Sequence, residues 1–139
     1  RVSLAVGGRT DERHGAPLNA EFTVVSLHDG KFRESQPRHG GFTECDQGAT
    51  AVVRTDEGLT LILTSLRMPP FSLGQITSCG LDPTEFQIIV AKGVIAPVAA
   101  YAPICRELIR VNTPGVTTAD MVSLTYHHRR RPLFPFERE

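Results

Sequence analysis

The side chains with chemistry to offer sit in three short stretches, and none of them is a complete catalytic set. The first is Gly7-Gly8 followed by Asp11 and His14-Gly15, the densest polar loop in the chain. Glycine lets the backbone come close to a ligand, and an aspartate with a histidine at a loop mouth can bind a metal or move a proton. Zinc takes three or four protein ligands, whereas Asp11 and His14 supply two, with no third ligand or base near them in sequence. Taken alone, these residues read as a surface loop in which Gly7, Gly8 and Gly15 supply unusual dihedrals. No metal site is assigned to this chain.

The second stretch is Thr64-Ser-Leu-Arg67-Met-Pro-Pro-Phe71, which puts an arginine just past the end of an apolar strand. The guanidinium fork matches a carboxylate. Two partners stay open for it, a substrate carboxylate or a structural one that pins the loop. Ser65 has no base evident in the sequence, which argues against a nucleophilic serine.

The third stretch runs from Tyr126 to Glu137 and holds His127, His128 and Arg129-Arg-Arg131. Adjacent histidines in an extended segment point to opposite faces and chelate one ion poorly. The arginine run suggests phosphates. It is short, however, Glu137 and Glu139 follow it, and no aromatic platform is interleaved. A strap that is solvated or lies against a domain fits better than a nucleic-acid site.

These stretches must be carried by a domain of 139 residues, long enough to bury about 70% of its unfolded surface. Fifteen basic and fifteen acidic residues cancel, which gives no global reason to expect a polyanionic partner. No apolar run approaches the roughly 18 residues needed to cross a bilayer. Cys45, Cys79 and Cys105 are odd in number and lack CxxC spacing, so zinc-knuckle and redox motifs are absent. Three thiols of this kind fit a reducing cytoplasm. The start at Arg1, without Met, reads as a cut inside a longer polypeptide.

Strands are expected over Val2–Val6, Glu21–Leu27, Lys31–Arg33, Ala49–Arg54 and Leu59–Thr64. His28-Asp-Gly30 should turn the chain so that Lys31–Arg33 returns along Glu21–Leu27, and residues 35–48 read as loop. Thr55-Asp-Glu-Gly58 closes a second hairpin, whose Leu59–Thr64 strand reads as covered on both faces. A short helix is expected over Leu73–Cys79, closed by Gly80, then a turn capped by Asp82 with Pro83. Phe86–Ala91 and Arg106–Val111 read as further strands, with a short broken helix within Ala96–Cys105, which carries Pro97 and Pro103. Thr117 or Thr118 is placed as the cap of a helical turn. The tail over Pro132–Phe136 reads as extended and pinned by Phe134 and Phe136. The sum is an α+β single domain over 1–139, a mixed, largely antiparallel sheet built from hairpins with a few short helices.

The order of the pieces carries a resemblance. Val6-Gly-Gly-Arg-Thr-Asp-Glu-Arg-His-Gly-Ala-Pro17 is similar to V-G-G-K-x-D-x-x-H-G-x-P. Gly40-Gly41 through Asp46-Gln-Gly-Ala-Thr-Ala-Val52 resembles G-G followed by L-G-x-T-A-V. Leu63-Thr-Ser-Leu-Arg67 with Pro70-Phe71 resembles T-S-x-R-x-x-P-F-D, Gly80-Leu-Asp-Pro83 resembles G-I-D-P, and Ala91-Lys92 resembles V-K. Together they resemble the C-terminal domain of the MlrC-like (microcystinase C-like) metallopeptidases. Ser72 stands where the pattern has Asp, Arg9 where it has Lys, and Lys92–Pro103 lacks the pattern's His and Arg.

The resemblance implies a bacterial zinc-dependent hydrolase whose Asp and His ligands lie in a separate N-terminal domain, outside this chain. There the metal would acidify a bound water and polarise a peptide or amide carbonyl. This chain would then supply structural closure and cleft-edge groups, with Asp11, His14 and Arg67 as the candidates, and would be inactive alone. Expected partners are its own N-terminal domain and a homo-oligomer, without nucleic acid or membrane. The competing reading is a non-catalytic oligomerisation or binding module.

Overall fold

β-branched and alternating residues build most of the ordered backbone, and one long strand organises them. The computed structural model describes residues 1–9, 14–36, 40–113 and 120–137, in two units, Arg1–Leu108 and Ile109–Glu139. In the first unit, strands β1 (Val2–Val6), β2 (Leu18–His28), β5 (Thr50–Arg54) and β6 (Thr60–Thr64) form an antiparallel sheet in the order β1-β2-β5-β6. β3 (Lys31–Arg33) and β4 (Glu44–Asp46) form a separate two-stranded ladder. Two short helices, α1 (Gly74–Thr77) and α2 (Ala96–Tyr101), complete the α+β architecture expected from the sequence.

β2 divides its pairing. Its first half answers β1, from Val6↔Leu18 to Val2↔Phe22, and its second half answers β5, from Thr23↔Arg54 to His28↔Thr50. Val24 opposes Val53 and Ser26 opposes Val52, which leaves Val25 as the extra residue of a bulge. Successive side chains of a strand face opposite ways, so this bulge moves the even-numbered residues of β2 from one face to the other. Val52 and Val53 are both buried, so β5 is covered on each face. β6 is half-buried along its length because it is an edge strand, where the sequence reading had it covered on both sides.

The Ile62 face of β6 packs against a core of Ile76, Ala100 and Tyr101, filled out by Leu73, Leu81, Ile89, Ala91 and Cys105. α1 and α2 therefore close the sheet on that side. Gly80, at φ +71, ends the α1 segment and donates to the Thr77 carbonyl at 3.0 Å, as the glycine cap predicts. Asp82 accepts from the Thr84 N–H at 2.8 Å, with Pro83 leading the 3-10 turn. Pro97 lies in the first turn of α2, where its missing N–H costs nothing.

Three local expectations fail. Lys31–Arg33 pairs with β4, inside the segment read as loop, while the half of β2 nearest the turn pairs with β5. Phe86–Ala91 and Arg106–Val111 form no ladder. Ile88 is 80% and Val90 92% exposed, and among the described residues no strand lies alongside them. Their β-branched content is a preference that needs an edge to satisfy it.

The turn into β3 is cramped. Gly30 has φ +74, and a Cβ there would meet the Gly48 carbonyl oxygen and, at 2.7 Å, the Thr50 hydroxyl. Gly30→Ala should lower stability by about 2 kcal/mol or more, measured by urea unfolding. An unchanged midpoint would mean that the backbone contact yields easily.

Candidate functional site

Arg67 sits on a loop tied at both ends. As β6 leaves the sheet, Ser65 N–H donates to the Ala49 carbonyl and Leu66 N–H to the Gln47 carbonyl, both at 3.0 Å. The Thr64 hydroxyl reaches the Leu66 carbonyl at 3.0 Å. At the far end, Gln75 Oε1 accepts from Phe71 N–H at 3.0 Å and Ser72 N–H at 3.3 Å. Arg67 itself is exposed and makes no ion pair or hydrogen bond with any described residue. A guanidinium held out on a fixed loop offers its fork to an incoming anion.

Four residues that the sequence reading passed over make this anchorage. Ser72 and Gln47 are almost fully buried. The Ser72 hydroxyl donates to the Glu34 carboxylate and accepts from Gly74 N–H at 2.9 Å. Gln47 Nε2 donates to the Gln75 carbonyl at 3.4 Å. The signal was present: Ser72-x-x-Gln75 has capping-box spacing, with the serine closing the first turn and the glutamine reaching back to the serine N–H. Glu34 and Gln47 carried no such local mark. At position 72, where the related pattern has Asp, this chain uses a hydroxyl that can donate to Glu34.

The glycine loop lies elsewhere. Gly7, Gly8 and Gly15 all have positive φ, at +73, +58 and +102. A Cβ on Gly8 would fall 2.6 Å from Pro17 N and 2.9 Å from the Gly15 carbonyl, so Gly8 closes the neck of the loop. His14 is exposed, and Asp11 lies outside the described residues. This loop joins β1 to the Leu18 end of β2, while the Arg67 loop leaves the sheet at the row His28↔Thr50↔Thr64. Ten residues of strand separate the two ends, roughly 30 Å at 3.3 Å per residue. His14 and Arg67 are therefore not brought together within this chain.

In the second unit, Arg129 is already occupied. Its guanidinium makes a two-pronged pair with Glu137, one arm at 2.6 Å, and lies 4.6 Å from the centre of the Phe136 ring. Tyr126 meets Phe136 edge-on at 5.1 Å. The tail turns back, with Phe136 N–H donating to the Leu133 carbonyl at 2.9 Å. It is thus pinned by Phe136 alone; Phe134 is 81% exposed, which corrects the expectation of an extended segment held by both rings. His127 and His128 stand with ring centres 6.5 Å apart. A 3-10 turn forms at Met121–Ser123, just past Asp120, and the expected caps Thr117 and Thr118 lie outside the described residues.

Among the described residues, no three of His, Cys, Asp and Glu come together as a metal-ligand group. Cys45 and Cys79 are buried, and burial raises both thiols, Cys45 also feeling Glu34 and Glu44. Both are held as thiols and make poor nucleophiles. No helix among these residues is long and apolar enough to cross a membrane.

Two measurements test this geometry. Ser72→Asp puts a second carboxylate against Glu34 and should cost about 1–3 kcal/mol. Glu34→Gln in the same chain should restore much of the loss by donating to the new carboxylate; no recovery would separate Glu34 from the junction. The Arg129 hydrogen bonds, helped by Leu133 N–H, hold the Glu137 carboxyl at about 2 against an ordinary 4.5. A depressed carboxyl stabilises the folded tail fully above about 4.5 and loses that contribution as pH falls through about 2. Carboxyl NMR titration should return Glu137 to its ordinary range in Arg129→Ala, and identical midpoints in both chains would refute the clasp.

A model of the family described as MlrC C-terminus matches residues 1–128, ending one residue short of Arg129. No curated protein matches the chain.

Proposed function

Since the chain belongs to the MlrC C-terminus family, we propose that it is the accessory C-terminal domain of a zinc-dependent hydrolase acting on a peptide or small-molecule amide. The observation that supports this most is the Arg67 loop. It lies in the family's T-S-x-R-x-x-P-F stretch, is braced at both ends by buried side chains, and leaves its guanidinium without a partner among the described residues. Bracing removes the entropy that a long side chain on a loose loop would lose on binding. The guanidinium would then hold a substrate carboxylate or backbone carbonyl at the edge of the cleft.

Zinc does not fit the described residues of this chain. Both buried thiols are raised, and no group of three His, Cys, Asp or Glu residues forms among the described residues. We assign the metal to a separate N-terminal domain of a cytoplasmic parent enzyme. Asp11 and His14 remain cleft-edge candidates only as part of a second face toward that domain, because His14 lies a strand's length from Arg67.

A second reading has its own support. In the unit Ile109–Glu139, the side chains of Ile109, Val111, Val122 and Phe134 are all exposed, more apolar surface than so short a segment normally shows to water. An oligomerisation module would cover them.

Elemental analysis should find no stoichiometric zinc on the isolated chain and one equivalent or more on the parent enzyme. Tight zinc on the chain alone would contradict the assignment. In the parent, Arg67→Ala should raise KM about tenfold or more through loss of a charged hydrogen bond, and unchanged kinetics would remove Arg67 from the cleft. Light scattering separates the second reading, which requires a dimer or larger.

A further inference from the structure

The Arg67 loop leaves the sheet beside a shallow trough. Register sets Leu27, Ala51 and Leu63 in one row across β2, β5 and β6, and residues opposed in a ladder share a face. The middle position is alanine, so the row dips between two leucines. Leu27 is 74% exposed, which leaves the dip open to solvent. The hollow is lined by these three residues together with Ala49 and Ser65, and by His28, Thr50 and Thr64 at its end, and Ser65 N–H bonded to the Ala49 carbonyl extends the ladder toward the loop. It therefore ends two residues short of Arg67. No acidic side chain lines it, and the His28 ring in its lining is engaged by the Ser26 hydroxyl at 2.8 Å.

We propose that the trough and Arg67 together take a carboxylate carrying an apolar side chain, as the C-terminal residue of a peptide does. This rests on the reading of Arg67 as a carboxylate-binding group and adds the side-chain class. Charge complementarity sets the orientation: the carboxylate meets the guanidinium fork, and the apolar side chain lies over Ala51 between the two leucines, away from any acid. A branched aliphatic side chain removes the most apolar surface from water there. A basic one finds no acidic counter-ion in the trough.

The probe is N-acetyl-L-leucine, compared with acetate and with N-acetyl-L-leucine amide. Each is titrated into the 139-residue chain and followed by backbone and arginine side-chain NMR shifts. N-acetyl-L-leucine should move Ala51, Leu63 and Arg67 together and bind roughly fivefold or more tightly than acetate. Leu27→Ala, at an exposed position, should weaken N-acetyl-L-leucine by about two- to threefold without changing acetate. Ala51→Leu fills the dip and should abolish the difference between the two probes. If acetate and N-acetyl-L-leucine bind at Arg67 equally well, the trough proposal falls and the carboxylate reading of Arg67 survives. If neither moves the Arg67 resonances, that reading falls and takes the trough with it. An amide that shifts the trough as strongly as the acid, with Arg67 silent, would also overturn the proposal.

Discussion

Two residues, Gln47 and Gly48, hold the first unit together. Gln47 N–H donates to the Gly30 carbonyl at 3.0 Å, while its own carbonyl accepts from Leu66 N–H. Its buried amide reaches the Gln75 carbonyl on α1. Gly48, at φ +66, leaves no room for a Cβ against Leu66 and lies under the Gly30 turn. One dipeptide thus fixes the turn out of β2, the start of β5, the exit of β6 and the position of α1. A buried amide left without its partners costs about 1–3 kcal/mol, so these four elements can only be placed together.

The candidate stretch around Arg67 inherits this constraint. Arg67 directly follows Leu66, whose N–H bonds Gln47, and stands a few residues from the Ser72-Gln75 box. Its loop is therefore as rigid as the junction beneath it, although Arg67 itself stays in solvent. Preorganisation of this kind favours binding because little freedom remains to be lost. The glycine loop has a separate anchorage at the other end of β2. Membership of the MlrC C-terminus family accounts for both stretches being present, and the staggered pairing of β2 accounts for their separation. The Arg129–Glu137 clasp stands just past the matched residues and fastens the tail of this chain by a local pair of charges over an aromatic ring.

Local chemistry made several elements legible. The Thr55–Gly58 turn, the glycine that ends the α1 segment, the Asp82 cap and the proline-led α2 each depend on residues within a few positions of one another, and each formed where its residues said. In the arginine run, Glu137 is the residue that occupies the first arginine. Phe86–Ala91 shows the opposite case. Its composition favours a strand, yet strand formation depends on an open edge that lies far away in sequence.

Residue order alone therefore determined the α+β class, the hairpin over 50–64, the short capped helices and the family to which the chain belongs. Turns, caps and period-2 patterning are short-range, and an ordered series of motifs survives without knowledge of contacts. Only the tertiary structure decided that β3 pairs with β4, that β2 splits its length between β1 and β5, and that His14 and Arg67 end up a strand apart. It also decided that Ser72, Glu34, Gln47 and Gln75 form one junction. Those outcomes depend on which hydrogen-bonding edges are already filled and which buried polar groups must find each other, and that competition is settled only when the whole chain is packed.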